Sequence, residues 1–378
     1  MCDCKKGHEV KITIWAPVLY PWMIKLRDVM NERGFKAVIL SEGAPKNYRT
    51  WRKYESYATI PKIQLFRFLH PFLYLLKSQP NLLIVFATES FTSLGLIMLS
   101  KVFKIPAIPI VEDNCERRYN TLIKRVAGKL KQLLIRYVYN HSDVLVAESF
   151  ASRDYLMRIG CPIERIKVIP HGTDVEKFQQ VDVDVNFLKK YKIPDTRKMK
   201  ILYLGGFNYY KGIDYLVEAT QDLALSETMF LIPVFGPLIP RYELILRKQK
   251  NTCLISPVEY DDMVKLYSFA DVVVVPSITN EEEGSERSPN VIIEALACSR
   301  VVIGTDVGGI PTYIGDAGLI IKEKSSKAIV DAIARLASNE KLMKELKVKA
   351  RHRAEKVLNI KIYGESLLKL YKQCFGSE

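Results

Sequence analysis

Four consecutive valines, Val272 to Val275, stop at Pro276. A β-branched run without polar alternation is a strand buried on both faces, and such strands belong to parallel sheets covered by helices on either side. This region is therefore neither a helical bundle nor a one-sided antiparallel sheet. Similar apolar runs recur at 10–15, 37–40, 81–86, 107–111 and 144–147, then at 201–204 and 229–235. Between them lie stretches of helical period: 23–33, closed by Gly34; 92–103; 133–140; 152–159, closed by Gly160; then 213–220 and 242–248. This alternation predicts doubly wound parallel sheets with ligands at the carboxyl ends of the strands. Polar sequence at 179–198 interrupts the pattern, and 378 residues suffice for two domains. An N-terminal Rossmann-like domain is expected over 1–175 and a second over 195–355.

Past Pro276 the residues acquire chemistry: Glu286-Arg287-Ser288-Pro289-Asn290-Val291-Ile292-Ile293-Glu294. Ser288 followed by Pro289 reads as a helix start, with Ser288 as cap and Val291, Ile292, Ala295 and Leu296 on one face. The free N–H groups and partial positive charge of such a terminus suit a diphosphate. Glu286 precedes the cap and can reach a sugar hydroxyl. Glu294, inside the helix, can accept hydrogen bonds from a ribose. The same letters also describe an amphipathic helix with solvated acids. Upstream, Gly205 and Gly206 let the backbone approach a ligand, and Lys211-Gly212 adds a compact positive charge. An ordinary strand-to-helix turn reads the same way.

The motif set, taken in order, resembles the retaining, nucleotide-sugar-dependent glycosyltransferases of family 4. Glu286 to Glu294 is similar to their E-x7-E signature. Val168-Ile169-Pro170-His171-Gly172-Thr173-Asp174, with Phe178, resembles their interdomain segment, where Asn is usual at the position of His171. Tyr203-Leu204-Gly205-Gly206 and Lys211-Gly212 resemble their glycine turn. Phe235-Gly236-Pro237 resembles a shortened G-x-G-P loop. Val258, Met263, Tyr267, Ala270-Asp271-Val272 and Pro276-Ser277 match the approach to E-x7-E. Val307-Gly308-Gly309-Ile310-Pro311 matches the G-G-I-P turn. The likeness covers roughly residues 135–375. It implies the GT-B fold: two Rossmann-like domains facing across a cleft, with the C-terminal helix 360–378 returning to the first.

By resemblance, Glu286 holds the sugar and Glu294 the ribose. Lys211, Gly205, Gly206, Gly236, Val258, Arg287, Ser288, Asn290 and Val291 complete the donor side. Retention by front-side attack, without a metal, is implied, and no cofactor beyond the nucleotide-sugar co-substrate. Asp261-Asp262 reads as a helix start, not a metal site. The sequence departs from the family at three places. Gly206 stands where Arg is frequent. Glu112 and Asp113 follow the fourth strand where a His is frequent, making them the acceptor-side candidates. Ala16 to Trp22 replaces a first-turn G-G.

The net charge of +14 is uneven: residues 1–170 hold 27 basic and 14 acidic residues, and the remainder is nearly neutral. Basic clusters lie at 49–54 and 117–136. In the second, Leu122, Val126, Leu130, Leu133 and Leu134 fall together, with Lys124, Arg125, Lys129, Lys131 and Arg136 around them. Phe66, Phe68, Phe72 and Tyr74 lie nearby. Basic residues beside exposed apolar ones suit an anionic membrane surface. The alternative is a solvated helix whose apolar side is core. No nucleic-acid motif is present. No apolar stretch is long enough to span a bilayer, the first residues lack a secretory pattern, and seven scattered cysteines fit a reducing compartment. Cys2, Cys4 and His8 read as incidental tail residues. The expectation is a cytoplasmic hexosyltransferase, peripheral on the inner membrane face, acting on a lipid-linked or glycan acceptor. The alternatives are a nucleotide-sugar epimerase, or a GT-B scaffold weakened in catalysis that binds membrane or nucleic acid.

Overall fold

The structure, a computed structural model, describes residues 10–41, 69–86, 90–112, 122–280 and 285–376. The first half runs β1 (Lys11–Ala16), α1 (Pro21–Glu32), β2 (Lys36–Ser41), α2 (His70–Ser78), β3 (Leu82–Val85), α3 (Phe91–Val102), β4 (Ala107–Val111), α4 (Leu122–Asn140), β5 (Leu145–Ala147), α5 (Phe150–Arg158) and β6 (Ile166–Val168). After α6 (Val185–Tyr191) come β7 (Met199–Leu202), α7 (Ile213–Ala219), β8 (Thr228–Pro233), α8 (Ile239–Lys248), β9 (Thr252–Ile255), α9 (Met263–Phe269) and β10 (Val272–Val275). Then follow α10 (Asn290–Ala297), β11 (Val301–Thr305), α11 (Ile310–Ile314), β12 (Gly318–Ile321), α12 (Ser326–Ala337), α13 (Glu340–Lys356) and α14 (Ile360–Phe375).

Two six-stranded parallel sheets result, ordered β2-β1-β3-β4-β5-β6 and β12-β11-β10-β7-β8-β9. The four valines show why. Val273 and Val275 enter one apolar cluster while Val272 and Val274 enter the cluster on the other face. β1 divides likewise, with Ile12 and Ile14 on one face and Trp15 on the other. Strand order reverses between β1 and β3 and between β7 and β10, and those crevices are where doubly wound sheets bind ligands.

The halves meet at a hinge of two chain crossings. Thr173 pairs with Asn359: the Thr173 amide donates to the Leu358 carbonyl, the Ile360 amide to the Thr173 carbonyl, each at 2.9 Å. Gly172 is required there, because a Cβ would stand 2.5 Å from the Leu358 carbonyl oxygen. Beyond the hinge, α14 lies on α1, and Ile360, Tyr363 and Leu367 join the cluster of Leu26 and Met30.

One sequence expectation needs correction, and one open alternative is decided. The polar stretch at 179–198 contains α6, capped by Asp184, whose Phe187 and Tyr191 are buried in the second half's core. In α4, of the two readings of the apolar side, exposed or core, Val126, Leu130 and Leu133 follow the first, at 53, 63 and 61% exposed, and Tyr137 joins them at 56%. Ile135, Val138 and Tyr139 supply the buried side instead. The basic cluster at 49–54, Phe66, Phe68, Cys2, Cys4, His8 and Asp113 lie outside the described residues, as do the side chains of Lys124 and Arg125.

Candidate active site

The β7–β10 crevice gathers most of the residues singled out above. After β7 the chain turns at Gly205, where a Cβ would stand 2.5 Å from the Tyr203 hydroxyl. That buried hydroxyl donates to the Gly206 carbonyl at 3.1 Å and ties the turn down. The Phe207 amide donates to the Phe235 carbonyl at 2.7 Å, so the loops after β7 and β8 are zipped together. Gly236, at φ +115°, follows Phe235 and leaves room for the Phe207 backbone. Gly212, at φ +70°, sits so close to the Pro276 carbonyl that a Cβ would be 1.8 Å from its oxygen. This contact presses the Lys211 turn onto the segment leaving β10.

There Lys211 meets Glu286: Nζ donates to Oε2 at 2.5 Å, with both side chains mostly buried. The Ser277 hydroxyl donates to the same oxygen at 3.0 Å. The backbone of Glu286 is held by the G-G-I-P turn, through a 2.9 Å bond from the Gly309 amide to the Glu286 carbonyl. A Cβ on Gly309 would lie 1.7 Å from the Arg287 carbonyl oxygen, so glycine is obligatory.

α10 starts at Asn290, four residues after Glu286. Ser288 does not cap it. The N-cap is Pro289, without a side-chain bond, and the Ser288 hydroxyl donates to Glu148 of the first half at 2.7 Å. A buried carboxylate is the stronger acceptor and outcompetes the local cap. Asn290 likewise turns its Oδ1 to His171 Nε2, 2.9 Å away. Val291 packs half-buried against the core, as does Val258 in the loop after β9. Glu294 is half-buried and accepts from the buried Tyr267 hydroxyl at 2.8 Å. Burial pushes its carboxyl up to about 7, against the Tyr267 bond and the charges of Lys177 and His171. The Asp262 carboxylate does not cap α9 either; Lys190 and Tyr191 hold it at 2.7 and 2.8 Å.

On the facing side, Glu112 directly follows β4, and its carbonyl accepts from the Ser152 hydroxyl at 2.9 Å. Glu148, one strand over, is the residue the sequence reading missed. Its signal was present: a carboxylate immediately after an apolar strand run, at the ligand-binding end of a parallel sheet. Among the described residues no cluster of three or more His, Cys, Asp or Glu could hold a metal ion.

The family description Glycosyl transferases group 1 matches residues 185–353, and Glycosyltransferase Family 4 matches residues 23–177. An uncharacterized glycosyltransferase of Methanocaldococcus jannaschii is 22% identical over 273 residues, covering 70% of this chain and 61% of its own length. Alpha-D-kanosaminyltransferase of Streptomyces kanamyceticus is 22% identical over 286 residues, covering 71% of this chain and 72% of its own. The chain thus spans less than two thirds of the first of these relatives. The crystal structure of Anabaena HepE in complex with UDP superposes with a TM-score of 0.74 at 13% identity, covering 97% of this chain and 100% of that one. At that identity the likeness is one of fold.

Proposed function

Because the chain belongs to the family 4-like glycosyltransferases of the GT-B fold, we propose that it moves a hexosyl group from a nucleotide-sugar donor, with retention, to a lipid-linked or glycan acceptor at an anionic membrane face. The observation that carries the donor half is the Lys211–Glu286 pair just before the α10 terminus, with Glu294 half-buried within that helix. A donor entering the crevice displaces the pair into separate tasks. Lys211 and the free N–H groups at Asn290 and Val291 take the diphosphate. Glu286 takes the sugar hydroxyls, and Glu294 the ribose. Gly205, Gly206 and Gly236 keep the loops low enough for close approach, and Arg287 adds positive charge.

In the transfer, the anomeric carbon–oxygen bond breaks with its electron pair going to the leaving diphosphate. The acceptor oxygen bonds to the same face, and its proton passes to a leaving phosphate oxygen. The chain supplies positive charge and excludes water; no metal takes part. Glu112 and Asp113 border the acceptor approach. The membrane assignment is supported by α4, whose exposed Val126, Leu130, Leu133 and Tyr137 sit among Lys129, Lys131 and Arg136, with the exposed Phe91 of α3 beneath Lys131. An apolar stripe rimmed by cations is complementary to an anionic bilayer.

A thermal-shift screen with UDP-, GDP- and ADP-sugars tests the donor half. One of them raises the melting temperature by preferential binding to the folded state; no shift at millimolar concentration defeats the reading. Conversion of the donor to its epimeric sugar nucleotide, without acceptor and without net nucleotide release, would favour the epimerase instead.

A further inference from the structure

The hydrogen-bonded group that joins the two halves is buried and polar. Glu148, 1% exposed at the end of β5, accepts from the Ser288 hydroxyl and, at 3.2 Å, from the Tyr363 hydroxyl of α14. His171, 2% exposed beside the hinge, has Nδ1 at 2.9 Å from the Tyr313 hydroxyl and 3.2 Å from the Glu148 carboxylate. Its Nε2 faces Asn290. The Trp22 indole stacks on the imidazole, with ring centroids 4.9 Å apart and planes 24° apart. Alongside, the Phe150 amide donates to Thr312 Oγ1 at 3.1 Å, again across the halves. A buried carboxylate is stable only when its oxygens are satisfied, and removing one partner leaves an uncompensated charge. Burial alone would lower the His171 pKa, but Glu148, Asn290 and the more distant Glu112 more than reverse this and raise it. Protonated, the ring donates to Glu148 from one nitrogen and to Asn290 from the other.

We propose that Glu148 and His171 are a positioning pair that docks the two domains and, through Ser288 and Asn290, holds the start of α10 in place for the donor diphosphate. The last clause rests on the donor reading above. Neither residue touches the donor. Both act through the two residues that frame the helix terminus, so the donor site is complete only while the domains are docked. Ser288 and Asn290 then owe their positions to the opposite domain, which accounts for a helix start with a serine nearby and no cap.

The test uses the full chain, with UDP as the probe in isothermal titration and small-angle scattering on the unliganded proteins. Glu148→Gln and His171→Asn are expected to weaken UDP binding about 10-fold or more, because each leaves buried polar partners unsatisfied. Both are expected to enlarge the radius of gyration, and Ser288→Ala to weaken UDP binding less. Affinity of the parent should also fall as pH rises and His171 loses its proton, a limb absent from His171→Asn. The groups facing that ring are Glu148, Glu112, Glu294 and Tyr313, with Tyr363 behind Glu148. Of these, Glu294, pushed up to about 7, acts with the opposite sign, its affinity contribution growing as pH rises, and so does not mimic the effect. Folded Glu148→Gln and His171→Asn proteins with the parent's dimensions and UDP affinity would overturn the proposal. Should Glu148→Gln not fold, Ser288→Ala decides: parental affinity across the pH range sinks the coupling to α10. If the parent itself ignores UDP, that nucleotide fails as donor, while unchanged scattering in the variants still defeats the docking role.

Discussion

Glu286 and Lys211 neutralise one another in the unliganded cleft, yet each is assigned a different part of the donor. Replacing either removes one electrostatic partner of the transition state. Glu286→Gln and Lys211→Ala should each lower kcat/KM by about 2 to 4 kcal/mol, read from steady-state transfer; near-full activity in Glu286→Gln would remove it from the sugar. Glu294 yields a pH prediction. Ribose hydroxyls donate to its ionised form, so donor affinity should fall as pH drops through about 7, where burial has raised its carboxyl. For folding the sign runs the other way. Between the ordinary carboxylate range and about 7 the folded chain holds a proton that the unfolded chain has released, so stability contributed by this group declines as pH rises. Glu294→Gln should therefore melt higher than the parent in alkaline buffer while binding donor more weakly; a lower melting point there would contradict the raised carboxyl pKa. The two glutamates were legible from their spacing around a helix start. Glu148 stood in a telling place, just past an apolar strand, but its role comes from Ser288, 140 residues away, and no local pattern carries that distance.

At the level of elements, strands were readable because burial on both faces forces unbroken apolar runs, as at β10. Helix faces were not. α4 carries apolar residues around most of its circumference, and the sequence alone could not say which of them α3 and the sheet would cover. The uncovered stripe supports a measurement: vesicles with anionic lipid should bind the protein at low salt and release it at high salt, where screening shortens its reach. Neutralising Lys129 and Lys131 should weaken that binding by about 1 kcal/mol per charge. Lys129 is exposed and Lys131 half-exposed, so the melting temperature should change little. Equal vesicle binding by parent and variant would return α4 to an ordinary solvated helix. α6 escaped notice for the opposite reason, since seven residues with only two deeply buried side chains leave little periodic signal.

For the molecule as a whole, the alternation of strands and helices disclosed two sheets, but the contacts between them are all long-range. The hinge depends on Gly172 and the Thr173–Asn359 pairing, supported by Arg351, which donates to the carbonyls of Val175, Phe178 and Ala297. Across it, α14 approaches α1 so closely that a Cβ on Gly364 would be 3.0 Å from Val29 and 3.2 Å from Leu26. Gly364→Leu should wedge these helices apart and cost about 1 to 3 kcal/mol in chemical denaturation, as overpacking does; no loss would mean the contact is dispensable.

The seat of α14 also bears on synthesis. Domains generally fold in the order they leave the ribosome, yet Leu26 and Met30, near the start of this chain, are covered by Tyr363 and Leu367, near its end. Until those last residues emerge, the nascent first domain displays an apolar groove along α1 while the second is already able to close its own sheet. The earliest-made half is therefore the last to finish, and it is the half that a chaperone would be expected to hold.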